Sequence, residues 1–518
     1  MKRAEPVIAI GLDAVEGSLV DRMLDAGRLP NLAELRERGA SAEVRTRPEG
    51  FLSMVWPTLF TGSAVGAHGW YFNKLWSPSD QRLRYVDTSW LPTRPFWEDL
   101  GPEFRTAILD VPFSPKPAPG FNGVFLNGWQ AHDDFGKSAV PHGLHRELRR
   151  RFGAPAMGPE LFGPQNARTL VRQSREGIES LGQFAQVVRD LLTRERWDLT
   201  LAVLGGAHRA LHYVWSLDEA DLSGAEPERL ERLRGAREEI YVAADRAVGT
   251  ILERAPRDAR VLVFALHGMG RNCGWAEHFY TIVSHIHGRG RDTRAKEGLI
   301  YGLKKALPWE WVRQVTMRLP STVNHALVPL WSRRMLDWSS TRFFALPLDL
   351  NGYLRINLRG REAEGIVEPG AELEELLDEL TEDFMSLRDL RDGRPIVADV
   401  YRVDDLVGAE APRRYMLPDL IVRWTDTYAT GSPGVSSRYG EVRWDPDAPL
   451  PSGRSGNHTK QGWLIAAGPG IRRGTLPASV DAVDLAPTLL AWMGAPIPDR
   501  LEGSPVEALG GAGSGTKA

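Results

Sequence analysis

The sequence predicts an α/β fold built on a central, mostly parallel sheet, and three observations predict it. Three short apolar runs, VIAIGL from Val7, LTLAVL from Leu199 and VLVFA from Val261, have the length and composition of buried strands. Two long amphipathic stretches, Leu170 to Arg196 and Arg229 to Arg254, separate the later runs. Each run stops just short of a residue that can do chemistry: Asp13, the pair His208 and His212, and His267. In open α/β sheets ligands gather beyond the carboxyl ends of the strands.

Composition bounds the answer before any motif does. The 518 residues suffice for one large interrupted domain or several ordinary ones, and 42% hydrophobic with 25% charged residues reads as a soluble globular chain. A net charge of −3 argues against a general nucleic-acid binder. The single cysteine, Cys273, excludes an internal disulfide and a thiolate metal cluster. No apolar stretch approaches about 18 residues, so no membrane span is expected. The start, MKRAEPVIAIGLDA, lacks the apolar run of a signal peptide, which makes cytoplasmic the expected location.

Taken in order, the first strand runs into Asp13, which either takes a metal or caps the segment after it. Leu29 to Gly39 reads as a helix ended by glycine. Phe51 to Asn73 mixes hydroxyls (Ser53, Thr58, Thr61) with glycines and the pair His68-Gly69. A hydroxyl at a helix start, such as Ser53, is placed either as a nucleophile or as a simple cap. RTAILD before Val111 reads as another strand. Residues from about 120 to 165, rich in Gly, Pro and mixed charge, read as an excursion from the core.

LTLAVLGGAHRALHYVW follows. If a helix starts after the glycines, His208 and His212, four apart, share one face. Two imidazoles one turn apart form half of a tetrahedral zinc site; the bland alternative is a chance spacing of ordinary histidines. Residues 278–340 are basic and rich in tryptophan and read as an inserted helical lid. Arg342 to Val367 alternates like two strands about Asn351-Gly352, Glu372 to Arg388 reads as an acidic helix, and LPDLIVRW as a further strand. GRSGNHTKQG places His458 in a glycine-rich loop before a strand. The tail GGAGSGTKA reads as flexible.

The order of these pieces resembles the alkaline phosphatase superfamily: a strand ending at Asp13, then Trp56 through Thr61-Gly62 with His68-Gly69, then the 208/212 pair, His267-Gly268 and the His458 loop. Its nucleotide pyrophosphatase and phosphodiesterase-like branch, with predicted phosphohydrolases, is the nearest in pattern. The resemblance implies a three-layer sandwich around the central sheet. It implies a catalytic core in two parts, 1–277 and 341–505, interrupted by the lid at 278–340 and followed by a tail at 506–518. It also implies Ser53 as nucleophile, one residue closer to Trp56 than the family pattern, and Asn73 as the contact to a phosphoryl oxygen. Two departures stand out. His208 occupies a position where the family carries Asp, and Leu266 replaces the Asp of Asp-His-Gly.

On this resemblance His208, His212 and His458 share one metal, and Asp13, His267 and Ser53 form a second, charge-poor site. Zinc, in one or two copies, with another divalent ion at the second site, is the implied cofactor. The implied activity is phosphoester hydrolysis, as a phosphodiesterase or nucleotide pyrophosphatase, on a small phosphorylated substrate. Transfer to an alcohol acceptor is the runner-up. A non-catalytic member that binds a phosphorylated ligand is the third reading, motivated by Leu266 and the shifted Ser53.

Overall fold

Strand β1 (Val7–Leu12) is buried at every position, as a run with no polar side chain requires, and it lies inside the principal sheet. The computed structural model describes residues 5–510, except 53, 131–135, 159, 160, 162, 218–221, 223, 224, 290–335, 348, 349 and 477. These divide into two compact units, one drawn from 1–64, 91–272 and 449–518, the other from 65–90 and 273–448.

The first unit holds the principal sheet. Its strands are β1, β2 (Ala40–Arg45), β3 (Thr106–Leu109), β4 (Gly123–Asn127), β5 (Ser138–Val140), β6 (Leu199–Leu204), β7 (Arg260–Ala265), β8 (Gln461–Ala467), β9 (Gly474–Thr475) and β10 (Val480–Asp481). Their order is β9-β2-β8-β7-β1-β6-β3-β4-β5, with β10 also paired to β2. The centre is parallel: β1 pairs with β6 and β7, and β3 with β6 and β4. Only β8 and β5 run antiparallel to their neighbours.

Alternation along β1 sends its side chains into two cores. Ile8, Ile10 and Leu12 pack with Leu19, Leu181, Leu211 and Ile240 from the helices of one layer. Val7 and Ala9 pack with Leu59, Leu485 and Leu489 on the opposite face. Helices therefore cover both faces of the mostly parallel sheet that the pattern predicted, in the three-layer α/β arrangement that the resemblance implied. Helices Ala167–Arg194 and Pro227–Leu252 match the two long amphipathic stretches. The stretch expected as an excursion, about 120–165, instead supplies β4 and β5 at the sheet edge. Strands of five and three residues are too short to show a period among glycines and prolines.

In the second unit, Phe343–Ala345 and Gly352–Ile356 form the antiparallel pair expected about Asn351-Gly352. Leu420–Trp424 and Val397–Arg402 extend it to four strands, alongside helix Ala371–Met385. Arg355, fully buried, is held by Glu362 and by backbone carbonyls of Tyr415 and Leu417. The lid expected at 278–340 falls largely outside the described residues, as does the tail from 511. Among the described residues, no helix is long and apolar enough to cross a membrane.

Candidate metal centre

β6 ends at Leu204, Gly205 caps the next helix, and Gly206–Val214 carries His208 and His212. Close packing fixes this helix. A Cβ on Gly177 of helix Ala167–Arg194 would come within 2.9 Å of Gly206 O and 3.0 Å of Ala210 Cβ, so glycine there lets the two helices touch. The spacing of four puts both imidazoles on one face, with ring centroids 4.8 Å apart.

His458 comes from the other end of the chain. Rather than a loop, it sits on the short strand Gly456–Thr459, paired antiparallel with Gly268–Arg271 so that His458 faces Met269. The glycine-rich context hid this strand, because the hairpin partner lies far away in sequence. The pairing brings His458 Nε2 to 2.9 Å from His208 Nε2, which is 3.0 Å from His212 Nε2.

Hydrogen bonds on the far sides of two rings set their tautomers. His208 Nδ1 lies 2.8 Å from Asp13 Oδ2, and His212 Nδ1 lies 2.8 Å from the carbonyl of Gly456. A carboxylate and a carbonyl only accept, so each Nδ1 carries the proton and each Nε2 presents a lone pair. Lone pairs confronting one another at 3.0 Å repel, and a shared cation removes the conflict. Nitrogens bound to one tetrahedral zinc at ~2.0–2.1 Å sit roughly 3.3 Å apart. The donor set of His208, His212 and His458, whose ligand atoms all lie within 4.8 Å of one another, therefore fits a divalent cation that accepts imidazole nitrogen. Burial, reinforced by the neighbouring imidazoles, pushes His458 well below the ordinary histidine range and keeps it neutral, the form that ligates.

Asp13, just beyond β1, is buried. Burial alone would raise its carboxyl. His208, His267 and the indole N–H of Trp56 outweigh that and hold it well below the usual carboxylate range. Trp56 Nε1 donates to Asp13 Oδ1 at 3.0 Å, and its ring reaches there because residue 11 has no Cβ to meet it. Asp13 is not the cap of the following helix Gly17–Asp25; Glu16 holds that place. His267 lies two residues beyond β7, with Nε2 3.6 Å from Asp13 Oδ1 and its ring 4.4 Å from that of His458. Leu266 turns into the apolar layer with Phe264 and Trp56 and offers no ligand. Asn272 Nδ2 donates to the carbonyl of Arg454, pinning the hairpin.

Asp13, His208, His212, His267 and His458 are thus brought together by the first unit. Ser53 lies outside the described residues; the helix after it, Val55–Thr61, starts with no side-chain cap. Asn73 belongs to the second unit, where its carbonyl accepts from Val86 N–H at 3.0 Å.

Several supporting residues carry no mark in the sequence. Thr459 Oγ1 donates to Glu16 Oε2 at 2.6 Å, and Glu16 N–H donates to Tyr241 Oη at 2.8 Å, so Glu16 ties the His458 strand to helix Pro227–Leu252. Trp56 was legible as part of a motif but not as the donor to Asp13.

A family model described as type I phosphodiesterase / nucleotide pyrophosphatase matches residues 7–441. Two solved structures of phosphonoacetate hydrolase from Sinorhizobium meliloti 1021, in complex with phosphonoformate and with phosphonoacetate, share the fold. Their TM-scores are both 0.52, at 16% and 15% identity, over 95% of this chain and 96% of theirs. No curated protein matches the sequence.

Proposed function

This chain belongs to the type I phosphodiesterase / nucleotide pyrophosphatase family of phosphoric ester hydrolases, within the alkaline phosphatase superfamily, and from that membership we propose a hydrolase that works through a histidine-rich metal centre. The observation that carries the proposal is the convergence of His208, His212 and His458 through their Nε2 atoms. Zinc suits three neutral imidazoles with a fourth position left for substrate or water. Bound there, a divalent cation would supply positive charge to the phosphoryl oxygens.

The chain's own groups do the rest. Asp13 and the Gly456 carbonyl aim His208 and His212, as partners on the far nitrogen do for metal-binding histidines. Asp13 Oδ1 and His267 Nε2 are the donors for a second, weaker cation site, which Leu266 leaves one carboxylate short of the family pattern. Ser53 is assigned the attack on phosphorus and Asn73 a phosphoryl oxygen. Substrate choice is assigned to the insert at 278–340. The substrate is a small phosphate diester or pyrophosphate. The neighbours' ligands, phosphonoacetate and phosphonoformate, add phosphonates to the panel worth testing.

The test is metal content per chain alongside turnover of a chromogenic phosphodiester, wild type beside His212→Ala and Ser53→Ala. The reading predicts one to two metals in the wild type, loss of at least one in His212→Ala, and loss of turnover in both variants. Product analysis with added alcohol separates hydrolysis from transfer. A wild type that neither holds nor takes up metal would sink the reading.

A further inference from the structure

Trp56 belongs to the apolar layer of Phe264, Val203 and Leu59, on the face of the principal sheet opposite the layer that takes Ala210 and Leu211 from the helix of His208 and His212. It is the second residue of helix Val55–Thr61, every residue of which is buried. An indole N–H taken out of water costs free energy unless it meets an acceptor. The acceptor here is a carboxylate: Trp56 Nε1 donates to Asp13 Oδ1 at 3.0 Å, at the carboxyl end of β1. A buried bond to an ionised acceptor is of the stronger kind.

The ring has little freedom. A Cβ at residue 11 would stand 2.6 Å from Trp56 Cη2, so Gly11 opens the slot that the ring fills. Phe264 packs against it with centroids 6.0 Å apart and planes tilted by 57°. A rigid two-ring side chain held in this way presents its single N–H at a fixed point.

The carboxylate is the softer partner, because the terminal torsion of aspartate is broad and two-fold. Donation at both oxygens removes that freedom. Trp56 takes Oδ1, and His208 Nδ1 takes Oδ2 at 2.8 Å. His267 Nε2, 3.6 Å from Oδ1, is too distant for a hydrogen bond and leaves the choice of oxygen to Trp56. A carboxylate oxygen can accept twice, so Oδ1 keeps a lone pair for the second cation site.

We propose that Trp56 is a positioning residue of the metal centre. Its indole N–H holds the Asp13 carboxylate in the orientation that fixes the His208 ring, and so sets how tightly His208, His212 and His458 hold a cation. The inference rests on the reading of those histidines as metal ligands. Packing alone makes a different prediction: loss of the ring would then harm the chain whether or not residue 13 is a carboxylate. The hydrogen bond makes the effect of Trp56 on metal affinity depend on Asp13.

The experiment titrates full-length protein with cobalt(II), a probe whose visible spectrum reports coordination geometry, in competition with a chelator of known affinity. Four chains are compared: wild type, Trp56→Phe, Asp13→Ala and the double variant. A fifth carries 3-benzothienylalanine at position 56, which keeps the two-ring shape and replaces the N–H with sulfur. Circular dichroism and the unfolding midpoint check the fold of each. Both replacements of Trp56 are expected to lower cobalt affinity about tenfold, the low end of the usual cost of losing a partner behind a metal-binding histidine, and to shift the visible bands. In the Asp13→Ala background Trp56→Phe should change neither. Full affinity with the benzothienyl side chain would overturn the proposal, as would an equal loss from Trp56→Phe in both backgrounds; either result leaves the metal centre standing. A wild type that takes up no cobalt would overturn the metal reading and this inference with it.

Discussion

His208 donates through Nδ1 to Oδ2 of Asp13 at 2.8 Å, joining the carboxyl end of the first strand to a helix that begins some 190 residues later in the sequence. The carboxylate fixes which nitrogen of the ring faces the centre. Asp13→Asn keeps an acceptor of the same shape and removes the charge. Metal affinity is expected to fall roughly 10–100-fold, the usual cost of losing such a partner. Competition against a chelator of known affinity measures it. An unchanged affinity would mean that His208 is oriented by its packing alone.

Metal that binds the folded chain and not the unfolded one stabilises it by mass action. With metal at a hundred times its dissociation constant the gain is about 2.7 kcal/mol. Chelation is therefore expected to lower the unfolding midpoint of the wild type and to leave His212→Ala almost unmoved. Denaturant titration with and without chelator checks this, and equal shifts in both proteins would contradict the assignment of His212.

Gly268 marks a tight place. A Cβ there would overlap the carboxylate of Glu16 and approach Thr459 Oγ1 at 2.5 Å. Gly268→Ala is expected to cost about 1–3 kcal/mol through overpacking. It should also weaken metal binding, because Thr459 is the neighbour of His458. A variant that loses stability yet keeps full metal affinity would separate the Glu16 contact from the centre.

His68, fully buried in the second unit, accepts a hydrogen bond from Trp70 N–H, and burial pushes its imidazole down to about 3. The unfolded chain takes up the proton first. The stability that this neutral histidine secures is complete above about pH 6.5 and is lost as pH falls from there toward 3. The slope is about 1.4 kcal/mol per pH unit for this one group. Comparing the pH dependence of unfolding in wild type and His68→Gln isolates the contribution. An identical dependence would show that His68 does not set it.

Much of this was legible because the signals are local. β1, β6 and β7 are short, largely apolar runs, and the pair His208 and His212 declares itself by spacing. What escaped the sequence depends on partners far along the chain. The strand of His458 exists only through its pairing with Gly268–Arg271. The role of Glu16 needs both Thr459 and Tyr241 to be in place. β4 and β5 are recognisable only once the edge of the sheet is built. Asp13 had two readings, ligand or cap, and the presence of Glu16 at the cap removes one of them.

The two-stranded pairing of Gly268–Arg271 with Gly456–Thr459 works as a clasp. The chain leaves the histidine-bearing unit beside one strand and re-enters it beside the other, with residues 272–455 strung between. Closing such a loop costs free energy only as the logarithm of its length, about 0.6 kcal/mol for each doubling. Once the clasp is shut, the intervening segment can be lengthened, shortened or exchanged with little penalty to the centre. The frame that gathers the histidines is therefore insulated from length changes in the segment strung between its two closing strands.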